Sequence, residues 1–335
     1  MKKQLKTLLS LLIMATLAGG LFASGQKDSA KKEKKILLRL AEAQVDTYPA
    51  TLGAIEFARL VNERSEGRIQ IEVYTGGQLG GDEKAVLEQV QFGAIDFTRV
   101  NISPATELAP MLNLLQLPYL YESYEHMHKV LDSPIGAEFL ASVEGAKLVG
   151  LALYDAGSRN FYNNKKPITS IEEMAGLKLR VPPSQLMMGM VNALGASATP
   201  MAFGEVYSAL QTGVIDGAEN NWASYDMVSH YEVANYITED AHTMPPEILV
   251  ASKMVMDKLA PEDVALIKKA ALDSVIYERS KYKAIEDASK EKLLKKGIVI
   301  SELKDREKFI KAVEPLYAEY TKGYTDVLKQ IIEMK

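Results

Sequence analysis

Two arginines stand apart from the other cationic side chains of this sequence. Arg159 follows Asp155-Ala156-Gly157-Ser158, where a strand gives way to a loop, and Arg180 lies inside the apolar run 177–181, just before Pro182-Pro183. A guanidinium in an apolar strand needs an anionic partner, because an unpaired buried charge is costly. That partner is either a buried acid of the same chain or a carboxylate brought by a ligand, and position alone leaves both readings open. Arginine offers a planar fork of N–H donors that matches a carboxylate two to two, which lysine cannot do. Asn220, in Asp216-Gly217-Ala218-Glu219-Asn220-Asn221-Trp222, adds an amide donor and acceptor just after a strand, although turn chemistry would also explain it.

Catalytic signatures are largely missing. There is no His-Glu-x-x-His zinc motif, no Gly-x-Ser-x-Gly elbow and no phosphate-binding glycine loop. His126 and His128 are two residues apart, which on a helix turns them to different faces, so they read as surface or packing residues. Glycines 76, 77, 80 and 81 read as a turn, and Met187, Met188 and Met190 as core packing. Lys290, Lys292, Lys295 and Lys296 alternate with acids and read as a solvated helix face. An exported enzyme acting on a sugar acid would need a titrating pair, for which Glu83 and His242 are candidates, but nothing in the sequence requires them to meet.

The elements that must position these residues alternate. Residues 36–43 form a strand candidate, 52–64 a helix stopped by Gly67, and Ile69, Ile71 and Val73 a half-buried strand. Asp82 caps a helix over 83–92 that Gly93 ends before Ile95 and Phe97. Strand, helix, strand, helix, strand implies a parallel or mixed sheet covered by helices, an α/β fold. Further on, Ser133-Pro134 opens a helix, 147–154 is a strand, Ser170 and Glu173 have capping-box spacing, and 177–181 is a strand. Helices over 185–194 and 205–212 stop at Gly195 and Gly213, the second before the strand start Val214-Ile215-Asp216. The stretch from Leu87 to Asp96 echoes that from Tyr207 to Asp216 as helix, glycine stop and Ile-Asp, which suggests two similar lobes. After Pro261 the chain runs to about Lys296 with neither glycine nor proline, a helix of roughly 50 Å that exceeds one small domain and is expected to bridge both. Residues 298–301 then form a strand candidate before a last helix near Arg306. In such a fold ligands sit at the carboxyl ends of strands and between lobes.

With 335 residues, two domains are the default. Met1-Lys2-Lys3 with Lys6, then the apolar run 8–18 fading through Gly19-Gly20, reads as a signal peptide over 1–23 rather than a membrane span. The polar stretch 24–35 reads as a disordered tether. Cleavage would leave 36 basic and 44 acidic side chains, a net charge of −8, which argues against nucleic acid as a partner. The absence of cysteine excludes disulfides and thiolate metal sites, and no lipid anchor is expected.

Several motifs together resemble the solute-binding proteins of tripartite ATP-independent periplasmic (TRAP) transporters, of the C4-dicarboxylate-binding (DctP) type. They are Gly67-Arg68-Ile69-Gln70-Ile71, Gly77-Gln78-Leu79-Gly80-Gly81-Asp82-Glu83, Leu117-Pro118-Tyr119, Gly176-Leu177-Lys178-Leu179-Arg180-Val181-Pro182, Ala193-Leu194-Gly195-Ala196 and the run from Glu205 to Gly217. Each is weak alone; their order and spacing are specific. The resemblance implies a two-lobed periplasmic-binding-protein-like α/β fold with hinge strands and a long helix spanning both lobes. Lobe I is expected over 36–157 plus 246–285 and lobe II over 158–245 plus 286–335. It further implies that Arg180 pairs with a ligand carboxylate, that Arg159 is a second cationic contact, Asn220 a polar clamp and Phe203 an aromatic wall. Glu42, Glu83 and Asn101 match positions that read the rest of the ligand. Acids at such positions disfavour a second carboxylate unless an arginine intervenes, so a sugar acid such as a hexuronate is expected over a C4-dicarboxylate or 2-oxo acid. The implied partners are the small and large membrane subunits of a TRAP transporter, and the implied location is the periplasm. A receptor-feeding sensor is the remaining rival. No cofactor is expected, and no ligand cluster demands a metal.

Overall fold

The computed structural model describes residues 35–335, so the expected signal peptide and almost all of the tether lie outside the described residues. Eleven strands are present among them: β1 (Ile36–Glu42), β2 (Ile69–Tyr74), β3 (Phe97–Asn101), β4 (Leu148–Tyr154), β5 (Arg159–Asn163), β6 (Lys178–Val181), β7 (Ser197–Pro200), β8 (Gly217–Asn220), β9 (Tyr236–Thr243), β10 (Glu247–Ser252) and β11 (Val299–Ser301). They form two sheets, ordered β2-β1-β3-β10-β4 and β11-β9-β5-β8-β6-β7. Each sheet is the floor of one lobe, as an α/β chain with two separate alternating halves requires. In the first, β1 pairs in parallel with β2 and β3, and β10 runs antiparallel between β3 and β4. In the second, β6 is parallel to β7 and β8, while β5 is antiparallel to β8 and β9.

The internal echo has a structural counterpart. Helices 83–91 and 206–212 both end at a glycine with positive φ, Gly93 at +70° and Gly213 at +75°. Each is followed by a buried isoleucine and an aspartate whose carboxylate accepts a backbone N–H of a neighbouring strand. Asp96 accepts from Arg39 at 2.6 Å and Asp216 from Lys178 at 2.9 Å. The segment 214–216 is therefore a lead-in, and β8 begins one residue later, at Gly217.

Two short connections carry the chain between sheets, residues 155–158 from β4 to β5 and residues 244–246 from β9 to β10. The first contains Gly157, whose φ of +66° and lack of space require glycine: an added Cβ would lie 2.3 Å from the Tyr282 hydroxyl. The long helix occupies Pro261–Lys295. Its first half serves the first lobe, where Arg64 pairs with Asp273 at 2.7 Å and Tyr154 hydrogen-bonds Ser274 at 2.7 Å. Its last turns serve the second, where Lys290 pairs with Glu239 and Lys292 with the buried Asp226, each within 2.7 Å. These two lysines thus fasten the helix to the second lobe and are not merely a solvated face. His126 and His128 have structural roles, His126 buried against the Ile331 carbonyl and His128 bonded to Asp155 in the first connection. Met187 and Met190 are in the core.

Candidate functional site

The chemically distinctive residues collect along one edge of each sheet. Glu42 and Asn101 end β1 and β3, and Glu247 begins the antiparallel β10, which brings all three to the same edge. Likewise Arg180 and Asn220 lie at the ends of β6 and β8, and Arg159 begins the antiparallel β5. Carboxyl-end placement is what this class of sheet offers a ligand. Between the edges lies a narrow cleft lined by Gln44, Glu83, Arg99, Asn101, Arg159 and Arg180, with Pro182, Phe203, Asn220, Ser224 and Glu247 completing the wall. The lobes touch across it: Gln116 accepts from Ser103 at 2.7 Å and donates to Ser184 at 3.0 Å, and Gln44 donates to Ser224 at 3.1 Å.

The two arginines, alike in sequence, differ in surroundings. Arg159 is held by Glu219, with Nε to Oε2 at 2.5 Å and Nη2 to Oε1 at 2.9 Å, and its Nη1 donates to Asn220 Oδ1 at 3.0 Å. Behind Glu219, His242 bonds Glu219 Oε2 at 3.3 Å and Asp240 Oδ2 at 2.9 Å, and its ring stacks on Phe161 at 4.2 Å. Burial alone would raise the Glu219 carboxyl, but Arg159 and His242 hold it at about 2. Burial alone would lower His242, but Asp240 and Glu219 raise it to about 9. The row Asp240, His242, Glu219, Arg159 is a self-compensated buried network.

Arg180 is 3% exposed, and its Nε and Nη2 both donate to the Met201 carbonyl, at 2.9 and 2.7 Å. No carboxylate of the described residues lies within ion-pair distance of it, and Nη1 has no protein acceptor. Burial pushes its pKa down, as expected for a cation short of compensation. Burial, then the same positive charge, lowers His230 to about 3. Phe203, on a short turn beside the cleft, faces the His230 ring at 5.9 Å.

On the opposite wall Arg99 is 1% exposed and binds Glu42 through Nε at 2.7 Å and through Nη2, and Glu247 through Nη1 at 2.9 Å. Glu42 is fully enclosed by this pair and by the Gln44 backbone N–H, so the structure places it behind the cleft rather than on its wall. Glu83 and Asn101 line the cleft, and Glu83 accepts the Asn101 backbone N–H at 3.1 Å. Burial, then the charge of Glu247, raises Glu83 to about 7. Asn101 Nδ2 and Gln44 Oε1 are buried without a protein partner, one donor and one acceptor. Glu83 and His242 are not bonded to each other; His242 is committed to the network under Arg159. Arg99, Glu219, Gln44 and Glu247 were not singled out from sequence. The signal for Arg99 and Glu247 was the one that found Arg180, a charge beside an apolar strand. Among the described residues no group of three or more His, Cys, Asp or Glu side chains is placed to hold a metal ion.

Comparison with known proteins places the chain. The family described as bacterial extracellular solute-binding protein, family 7 (DctP), matches residues 40–323. A solute-binding protein of Chromohalobacter salexigens is 35% identical over 289 residues, covering 86% of each chain. A TRAP periplasmic solute-binding protein from a Bradyrhizobium species, solved with galacturonate, superposes with a TM-score of 0.87 at 39% identity, covering 88% of this chain and 99% of that one. Another from Pseudomonas putida, solved with D-glucuronate, gives 0.85 at 36% identity, covering 88% and 96%. With the fold, the paired sheet edges and these matches in agreement, the chain belongs to the DctP family of TRAP solute-binding proteins.

Proposed function

We propose that this protein captures a sugar acid, of the hexuronate class, in the cleft between its sheets and delivers it to the small and large membrane subunits of a TRAP transporter. The observation that carries the ligand assignment is Arg180. A buried guanidinium with open N–H donors and no carboxylate partner among the described residues is a receptor for a carboxylate from outside. Arg159 has a free N–H beside Asn220 and supplies a second cationic contact, while Phe203 flanks the ligand face. At the far end Glu83, Asn101 and Gln44 offer acceptors and donors suited to hydroxyls, and Glu247 adds a carboxyl. The sugar-acid ligands of the two structural neighbours support the same class.

Capture proceeds by closure. The carboxylate meets lobe II, the hydroxyl end meets lobe I, and only the closed arrangement satisfies both, so the ligand favours closure by its differential affinity. In this reading lobe I comprises 36–157 plus 246–285 and lobe II 158–245 plus 286–335, with the chain exported by a cleaved signal peptide at 1–23. No helix among the described residues is long and apolar enough to cross a membrane. The test is a thermal-shift panel of uronates, aldonates, C4-dicarboxylates and 2-oxo acids. Saturation at 100 times Kd stabilises by about 2.7 kcal/mol, a readable shift. A response to sugar acids supports the assignment; a response confined to dicarboxylates overturns it.

A further inference from the structure

The wall facing Arg180 holds more carboxyl groups than its cation can satisfy. Arg99 is divided among three: Glu42 through Nε and Nη2, Glu247 Oε2 at 2.9 Å from Nη1, and Glu83 Oε1 at 3.9 Å from Nη1. Among the residues lining that side of the cleft it is the sole cationic side chain. Glu247 is fixed further by the Tyr48 hydroxyl, which donates to Oε1 at 3.2 Å and itself accepts from Asn221 Nδ2 at 3.0 Å. Arg99 Nη2 and Glu247 Oε2 are taken up in these ion pairs, and the other buried polar atoms without a hydrogen bond on the same wall, Asn101 Nδ2 and Gln44 Oε1, are neutral. They can satisfy a hydroxyl, but they cannot compensate an anion. The one arginine on this wall able to receive a second ligand carboxylate is therefore already committed. Burial raises both Glu83 and Glu247, and at Glu83 the neighbouring charge of Glu247 adds to the rise.

We propose that Glu247 and Glu83, held beside the committed charge of Arg99, make the site selective for acids that are anionic at one end only, so that sugar diacids of the same carbon length are rejected. Glu247 is the specificity-determining residue that the sequence reading did not identify. A ligand whose far end carries a hydroxyl or hemiacetal donates to these carboxyls. One whose far end is a second carboxylate meets like charge with no free donor pair to receive it. The inference rests on the reading that Arg180 takes the ligand carboxylate.

The experiment is calorimetric titration of the purified protein with two matched pairs, D-glucuronate against D-glucarate and D-galacturonate against galactarate, at pH 8. Each diacid is its uronate with the far carbon oxidised to a carboxylate. Since that oxidation also opens the pyranose ring, the open-chain acids D-gluconate and D-galactonate, which differ from the diacids only at the far carbon, are titrated alongside and are expected to be preferred over the diacids in the same way. The expected result is a preference for the uronate of at least about 100-fold, the scale on which unpaired buried charge discriminates. In the Glu83→Gln/Glu247→Gln variant, which keeps shape and removes charge, the preference shrinks at least about tenfold. Should that variant not fold, the native protein still decides between outcomes. Glu83 faces Glu247 and Arg99 from its own lobe and Arg180 and Arg159 from the other, and it titrates near 7. Lowering the pH from 8 to 6 neutralises it and narrows the preference, while the ligands stay fully ionised. Equal affinity for uronate and diacid in the native protein overturns the proposal and leaves the sugar-acid function standing, as does a preference unmoved by both the variant and pH. Absence of binding by every sugar acid removes the reading of Arg180 and this proposal with it.

Discussion

Replacing Arg180 separates the two things a buried arginine can do. In Arg180→Ala the ligand carboxylate keeps its desolvation cost and loses the open face of the guanidinium, Nη1 and the second hydrogen of Nη2. Charge-assisted hydrogen bonds contribute roughly 1.5–3 kcal/mol each, and truncating one partner of a buried charged pair costs about 2–5 kcal/mol in binding. That range corresponds to a Kd weakened by about 30-fold to a few thousand-fold. Titration calorimetry with D-galacturonate reads it directly. The stability of the unliganded protein supplies the second half of the test. Since no protein carboxylate compensates Arg180 among the described residues, Arg180→Met removes an uncompensated buried charge while filling the space of the stem. The unliganded Met variant is therefore expected to unfold in urea at the same or higher concentration than the parent, and to show no ligand-induced shift. Retained micromolar binding in Arg180→Ala, or loss of several kcal/mol of unliganded stability in Arg180→Met, would refute the reasoning, the first on binding and the second on compensation.

Arg159 is expected to behave oppositely. Arg159→Ala strands the buried Glu219 carboxylate and should cost the unliganded fold about 3–5 kcal/mol by chemical denaturation. Gly157→Ala combines a positive φ with a clash against Tyr282 and Glu286 and should destabilise by roughly 2–4 kcal/mol; adding Tyr282→Phe relieves only the hydroxyl contact. The His242 pKa is raised from about 6.5 unfolded to about 9 folded, so its contribution is complete below pH 6.5 and is lost as pH rises through 9. That amounts to about 3 kcal/mol between urea curves at pH 6 and pH 9.5, and His242→Asn should flatten the difference.

Much of the architecture was legible because it is local. Glycines with positive φ at 93 and 213 stop helices wherever they occur, and the uninterrupted run after Pro261 has no way to end before Gly297. The adjoining strands β9 and β10 escaped notice for a physical reason. β9 carries Glu239, Asp240 and His242, whose charges are compensated by Lys290 and Glu219 from other segments and by the Asp240–His242 pair itself, so its composition does not look like a strand. β10 is buried along its whole length, which erases the alternation that marks half-exposed strands. At the site, the two possible partners of an arginine in an apolar strand were both real, one for each residue: Arg159 has its acid in the chain and Arg180 does not. Choosing between them needed the position of Glu219, which is 60 residues from Arg159. Glu42 shows the converse limit. Its match to a ligand-reading position of the family suggested a wall residue, but Arg99 turns it inward.

The position of β10 in the first sheet has a consequence for how the chain acquires its shape. This strand lies between β3 and β4, yet it is made only after all but one strand of the second sheet. Until residues 247–252 arrive, the first lobe has a gap where its middle should be, with two apolar strand edges exposed. Pairings this remote in sequence form slowly and leave partly built intermediates prone to association. The first lobe therefore has no independent route to completion. A nascent chain stopped anywhere before Glu247 holds a half-sheet, so any factor that shields the chain until it is fully released protects above all the edges of β3 and β4.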